Sequence, residues 1–170
     1  MNLPQRVDGK GEPTDGDFVV YWLRTALRTH ENPALDVAIS VGNGLGKTVF
    51  VYHALSERNP FASDRHHTFI LEGARDLQPR LRARGVATAF HLERPGHRGP
   101  HLKTLSDRAC LVIAEDMPVA PLTQCTAVLA ASTNTPVWRL DTACVVPMNL
   151  VGKAHYPRLP VPKVHSAARG

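Results

Sequence analysis

Asp17-Phe18-Val19-Val20-Tyr21-Trp22-Leu23-Arg24 is the stretch whose reading decides the fold. Phe18 to Trp22 are all β-branched or aromatic, with no polar residue between them. A strand of that kind presents no face to water, so both of its faces must be covered, which is the situation in the middle of a parallel sheet. The chain then turns polar, with Arg24, Thr25, Arg28, Thr29, His30, Glu31 and Asn32 standing before the next apolar run. In open α/β sheets, ligands sit in the crevice beyond the carboxyl ends of the central strands. This junction is therefore the first candidate for function.

The rest of the chain repeats the pattern. Asn32-Pro33 reads as a helix N-cap followed by proline at the first helical position, with Leu35, Ala38 and Ile39 on one face and a stop at Gly42 and Gly44. A second buried strand follows at Thr48–His53. Ser63 or Asp64 starts a long helix, with Phe69, Ile70, Gly73, Ala74, Leu77 and Leu81 at helical spacing and Gly85 closing it. Pro79 lacks a backbone donor, which predicts a kink or an early end near Gln78. Val86–Leu92 is a third strand, followed by a loop over residues 93–100 and a short helix from His101 to Arg108. Cys110–Ala114 is a fourth strand, running into Glu115-Asp116-Met117-Pro118, and Pro121 opens a helix to about Ala131. A fifth strand spans Pro136–Asp141, with Cys144–Pro147 as an extended continuation. Parallel strands need crossover helices, so this alternation predicts an α/β fold with a five-stranded, doubly wound parallel sheet of Rossmann-like type in a single domain.

At 170 residues the chain has room for one domain with a substantial core. Its hydrophobic content of 43% against 21% charged is that of an ordinary globular protein, and no apolar run approaches the ~20 residues of a membrane span. Residues 1–16 are polar and rich in glycine and proline, without the apolar core of a signal peptide. They read as a disordered leader of a cytoplasmic protein. Residues 17–150 form the α/β domain, and 151–170 a proline-rich linker or tail. The net charge of +5 leans weakly towards nucleic acid or phosphate-bearing ligands. Cys110, Cys125 and Cys144 are widely spaced and read as buried, reduced thiols.

Local motifs for chemistry are weak. Gly42-Asn43-Gly44-Leu45-Gly46-Lys47-Thr48 approaches the phosphate-loop pattern, but Val41 stands where the first glycine belongs. The segment also leaves a helix and opens a strand, the reverse of a phosphate loop, so it reads as a helix C-cap and turn. His91, His97 and His101 lie in or beside a Pro/Gly loop, and His66 and His67 diverge on a helix, so no metal site is expected. No nucleophile elbow is present. Glu115, Asp116 and Asp141 at strand ends suit either acid–base work or the capping of the following turn. By topology alone, a ligand pocket at the strand carboxyl ends would be lined by Trp22, Arg24, His53, Asp116, Met117 and Asp141.

A family resemblance adds to this. Tyr21-Trp22-Leu23, then Arg28, Asn32 and Ala34-Leu35, resembles the opening of the class II cyclobutane pyrimidine dimer photolyases. Val49-Phe50-Val51, the run Arg65, His67, Phe69, Leu71, Glu72, Gly73, and then Val137, Asp141, Ala143, Val145-Val146-Pro147 continue it in register. Lys153, Tyr156, Pro162, Lys163 and Val164 resemble the segment that leaves the family's first domain. The chain departs from the pattern at Thr25, Ala26, Pro33 and the loop Glu115–Pro118. The resemblance implies the N-terminal light-harvesting domain of a deoxyribodipyrimidine photolyase, a DNA-repair lyase and flavoprotein. Such a domain can hold an antenna chromophore, namely a deazaflavin, folate or flavin. FAD and the damaged DNA belong to a C-terminal helical domain or a separate partner chain, so DNA is met only indirectly and this chain alone is not expected to be catalytic. The alternative is a stand-alone nucleotide-binding or regulatory module of the same fold.

Overall fold

The computed structural model describes residues 7–9, 11–57 and 63–144. In chain order the elements are β1 (Val7–Asp8), β2 (Phe18–Leu23), α1 (Pro33–Leu45), β3 (Thr48–Ser56), α2 (Asp64–Ala83), β4 (Ala87–Glu93), α3 (His101–Arg108), β5 (Ala109–Glu115), α4 (Leu122–Ser132) and β6 (Val137–Leu140). They build one six-stranded sheet in the order β1-β6-β5-β2-β3-β4. Five strands run parallel, as the apolar runs require, and β2 lies between β3 and β5.

The alternation of side chains along β2 assigns the two layers. Val19, Tyr21 and Leu23 point into a core shared with Ala34, Leu35, Val37 and Ala38 of α1 and Leu77 and Leu81 of α2. Val20 points the other way, into a cluster with Leu129 of α4, edged by Trp22 and by Leu102 and Leu105 of α3. Burying each such leucine or valine stabilises the fold by roughly 1.5–3 kcal/mol. All seven residues of β5 are buried, which makes a charged residue at its end, Glu115, conspicuous.

Four expectations need correction. The part of the expected leader that is described, residues 7–9 and 11–16, is tied to the sheet. Val7–Asp8 pair antiparallel with β6, the Thr14 amide donates to the Cys110 carbonyl at 2.9 Å, and the Asp17 amide donates to the Arg108 carbonyl at 2.8 Å. Gly16 makes this possible, because a Cβ there would sit 2.2 Å from the Ala109–Cys110 backbone. Secondly, α1 runs through Gly42 and Gly44 and ends at Leu45, with Gly46 left-handed at φ 63°. Gly42 is inside the helix because a Cβ would lie 2.9 Å from the Lys47 carbonyl oxygen and from Val49. Thirdly, α2 does not end near Gln78 but continues to Ala83. One missing donor at Pro79 costs less than releasing Leu81, which is buried in the core. Lastly, the fifth strand stops at Leu140, and Cys144 lies outside any strand. The rest of its expected continuation, residues 145–147, and the tail 151–170 lie outside the described residues.

Two further readings shift, since β3 runs past His53 to Ser56 and Cys125 is exposed while Cys110 is buried, but the two helix caps hold. Asn32 caps α1 by accepting from the Leu35 amide, and Ser63 caps α2 by accepting from the His66 amide. The Gly42–Thr48 segment is a helix end, with the Lys47 amide donating to the Gly42 carbonyl at 2.9 Å. Among the described residues, no helix is long and apolar enough to cross a membrane.

Candidate functional site

From β2 the chain winds through β3 and β4, then crosses back to place β5 on the other side of β2. The winding direction reverses between β2 and β5, and a sheet of this kind opens a crevice at that point. The loop after β2 and the exit of β5 meet there.

The crevice is occupied by the chain itself. The Glu115 side chain is fully buried. Its Oε1 accepts from the Tyr21 hydroxyl at 2.8 Å and from the Arg24 and Ala26 amides at 3.1 and 3.2 Å. Its Oε2 accepts from the Thr25 amide at 2.8 Å, from the Ala26 amide at 3.2 Å and from the Thr25 hydroxyl. Three successive amides turned towards one carboxylate form an anion cradle of the kind that elsewhere binds phosphate, here filled by a residue from across the sheet. A buried carboxylate is tolerable only with such a set of donors.

Tyr21 extends the network. Having donated to Glu115, its oxygen accepts from Asn32 Nδ2 at 3.1 Å, and the same Nδ2 donates to the Ala26 and Arg28 carbonyls at 3.2 and 3.1 Å. Burial above all, and then the neighbouring Glu115 charge, push the Tyr21 phenol well above its ordinary pKa, so it stays a proton donor. Arg28 reaches across to the Thr142 carbonyl at 2.7 Å, tying the loop to the exit of β6.

The six side chains expected at the strand ends divide into two groups. The Arg24 guanidinium lies 4.5 Å over the Trp22 ring and donates to the Leu122 carbonyl at 2.7 Å and to the Glu115 carbonyl. Its Nε is buried without a hydrogen-bond partner among the described residues. Burial lowers its pKa, opposed by the nearby charges of Glu115, Cys125 and Asp116. Asp116 and Met117 follow on β5 and are half-buried. His53 and Asp141 have inward roles. His53 is buried on the α1/α2 side of the sheet, edge-on to Phe90 at 5.0 Å, and desolvation lowers its pKa to about 4. Asp141 Oδ1 accepts from the Ala143 and Cys144 amides at 2.9 and 2.8 Å, the turn-capping role.

Comparison with known proteins follows this geometry. The sequence matches the DNA photolyase family over residues 19–166. The chain belongs to that family. It is 35% identical over 91 residues to the deoxyribodipyrimidine photo-lyase of Methanothermobacter thermautotrophicus, a match covering 54% of this chain and 20% of that protein. This photolyase-family chain thus spans about a fifth of the relative's length. In layout it is similar to a universal stress protein of Archaeoglobus fulgidus, with a TM-score of 0.49 and 17% identity over 73% of this chain and 98% of that one. A universal stress protein from Burkholderia pseudomallei is similar at a TM-score of 0.43 and 18% identity, over 75% of this chain and 98% of that one. Likeness at this level carries nothing about ligands.

Members of the photolyase family bind a flavin and antenna chromophores. The crevice proper is filled by Glu115, and beside it the Arg24 guanidinium lies over the Trp22 ring. Two cavities, of about 340 and 300 Å³, lie elsewhere, one between the ends of α3 and α4 and one between α2 and β4. Sequence reading missed Tyr21 and Thr25 as partners of Glu115, and Asn32 as the partner of Tyr21. The available signal was a charge ending a wholly apolar run, which must be paired where it is buried.

Proposed function

We propose that this chain is the N-terminal α/β domain of a class II-like photolyase, serving light capture and the seating of a flavin-bearing helical region rather than the splitting of the dimer itself. The observation that supports the reading is the family match running through β2, the strand on which the Trp22–Arg24 ledge is built. An antenna chromophore, a deazaflavin, folate or flavin, would lie across Trp22 and Arg24, with Asp116 and Met117 at its border. When bound it would supply absorption of light. The chain's own part is to hold the ring still, and the Glu115 cradle does this by fixing the amides of residues 24–26 against the sheet. His53 and Asp141 take no part in contact with the ring and set the floor and the neighbouring turn. DNA would be met by the partner region, in keeping with a cofactor that carries the reaction while the protein positions it.

The test uses a Trp138→Phe background, which leaves Trp22 as the single tryptophan, since the chain has two. Titration with a deazaflavin, a folate and a flavin should quench Trp22 with one of the three, and Arg24→Met should weaken that binding about tenfold, the loss of a stacked, hydrogen-bonding cation. Absence of quenching and of any absorption change with all three sinks the antenna reading.

A further inference from the structure

The sheet's outer border is built quite differently from its crevice. β4 has β3 on one side and, among the described residues, no strand on the other. Edge strands are commonly blunted by shortness, proline, lysine or a bulge. β4 has none of these: it is seven residues long, Ala-Thr-Ala-Phe-His-Leu-Glu, with one charge at its end. Its register with β3 is unbroken from Phe50↔Ala87 to Ser56↔Glu93.

Above this border hangs α2. Leu71, Arg75, Gln78 and Arg82 recur at helical spacing and, with Ala74, Pro79 and Phe90, line the cavity of about 300 Å³. Phe90 pairs with His53 and so faces α2, as does Leu92 two residues on, which is 40% exposed. Leu71 is 41% exposed. From Ala87 to Leu92, the main-chain groups of β4 that face away from β3 therefore meet no strand among the described residues, and they run beside an apolar floor with a guanidinium rim.

We propose that this groove receives an acidic, extended segment of another protein, which joins the sheet as a further strand beside β4. Strand addition supplies main-chain hydrogen bonds, and alternate side chains supply selectivity. Those on the α2 side would meet Phe90 and Leu92 across the strand pair, with carboxylates reaching Arg75 and Arg82. Charge selects the occupant. From Arg75 onward, α2 and its cap carry Arg75, Arg80, Arg82 and Arg84 against Asp76 alone. The Arg75–Asp76 contact is exposed and 3.6 Å long, so it competes weakly. A second copy adding its own β4 about a two-fold axis would bring two α2 helices together with their arginines facing. Nucleic acid would use the guanidinium groups but leave the apolar floor and the strand edge unpaired.

The test takes the whole chain and three fluorescent probes: a peptide of about ten residues alternating valine and glutamate, the same peptide with lysine for glutamate, and a short DNA duplex. Anisotropy should rank the glutamate peptide at least about tenfold tighter than the other two. Amide hydrogen exchange along β4 should slow when it binds. The double variant Arg75→Glu/Arg82→Glu, at exposed positions, should lose about tenfold in affinity with an unchanged melting temperature. Equal binding of the two peptides, affinity indifferent to the double variant, or unprotected β4 amides overturns the proposal. Tighter DNA binding, or a dimer that protects β4 by itself, overturns it as well. None of these outcomes depends on a chromophore binding at Trp22.

Discussion

The β2–β5 crevice and the α2–β4 border differ in how their polar groups are satisfied. In the crevice, a buried carboxylate, a phenol, an amide side chain and three backbone amides are paired with one another across up to 94 residues of sequence. At the border, Arg75 and Arg82 are exposed, Leu71 and Leu92 are about two-fifths exposed, and β4 has no strand beyond it among the described residues. One region has its partners built in, and the other leaves its partners to be supplied. Mutations should therefore be costly in the first and nearly silent, or even favourable, in the second.

Removing Glu115 should show this most clearly. Glu115→Ala strips acceptors from the Tyr21 hydroxyl and from the amides of Arg24, Thr25 and Ala26, all at the top of the core. Leaving a buried, charge-assisted network half satisfied costs about 3–5 kcal/mol. Urea unfolding should show a midpoint shift of that size, and Glu115→Gln, which retains one acceptor oxygen, should cost less. A change below about 1 kcal/mol would mean that water replaces the carboxylate and that the crevice is open after all.

His53 gives the next largest effect, as a pH dependence. Its folded pKa, about 4, lies below the 6.5 of an unfolded histidine because burial disfavours the imidazolium. Below 6.5 the unfolded chain takes up a proton that the folded chain refuses, so stability is complete above 6.5, falls as pH drops towards 4, and levels off beneath it. The total is roughly 3 kcal/mol. His53→Leu should flatten this window in urea melts taken between pH 7 and 4, and an unchanged slope would assign the acid sensitivity elsewhere.

How much of this could be read from sequence follows from the range of the interactions. The central position of β2, the five parallel strands, the Asn32 and Ser63 caps and the Gly46 turn are local, written in runs of apolar residues and their punctuation. The Glu115 cradle is not local. Its acceptor and donors are about ninety positions apart, and only the register of β2 against β5 brings them together. Glycine and proline misled for a related reason. Gly42 and Pro79 read as helix stops, yet α1 and α2 continue through them because contacts with Val49 and with the sheet outweigh propensity. Asp141 does follow the end of β6, whereas β3 runs on past His53 to Ser56, and which way each side chain faces is set by pleat and turn.

At the border the sign should reverse. Pro79 sits in the last third of α2 at an exposed position, where it withholds a helix hydrogen bond. Pro79→Ala restores that donor and should stabilise by about 1–2 kcal/mol, the helix gain less the entropy returned to the unfolded chain. A loss of stability would show that the proline ring, which lines the α2–β4 cavity, contributes packing there.

The smallest effect belongs to Phe69, although a phenylalanine is being removed. Its ring is 66% exposed on the first half of α2, ahead of the helix's buried residues Ala74 and Leu77. Phe69→Ser therefore loses little buried area, and its cost should stay within about 0.5 kcal/mol, the range of ordinary surface changes. Thermal melts of this variant beside Leu77→Ala, where a buried leucine is cut to a methyl for about 2–5 kcal/mol, put the two ends of one helix on the same scale. If Phe69→Ser costs as much as Leu77→Ala, the first half of α2 is already covered in solution.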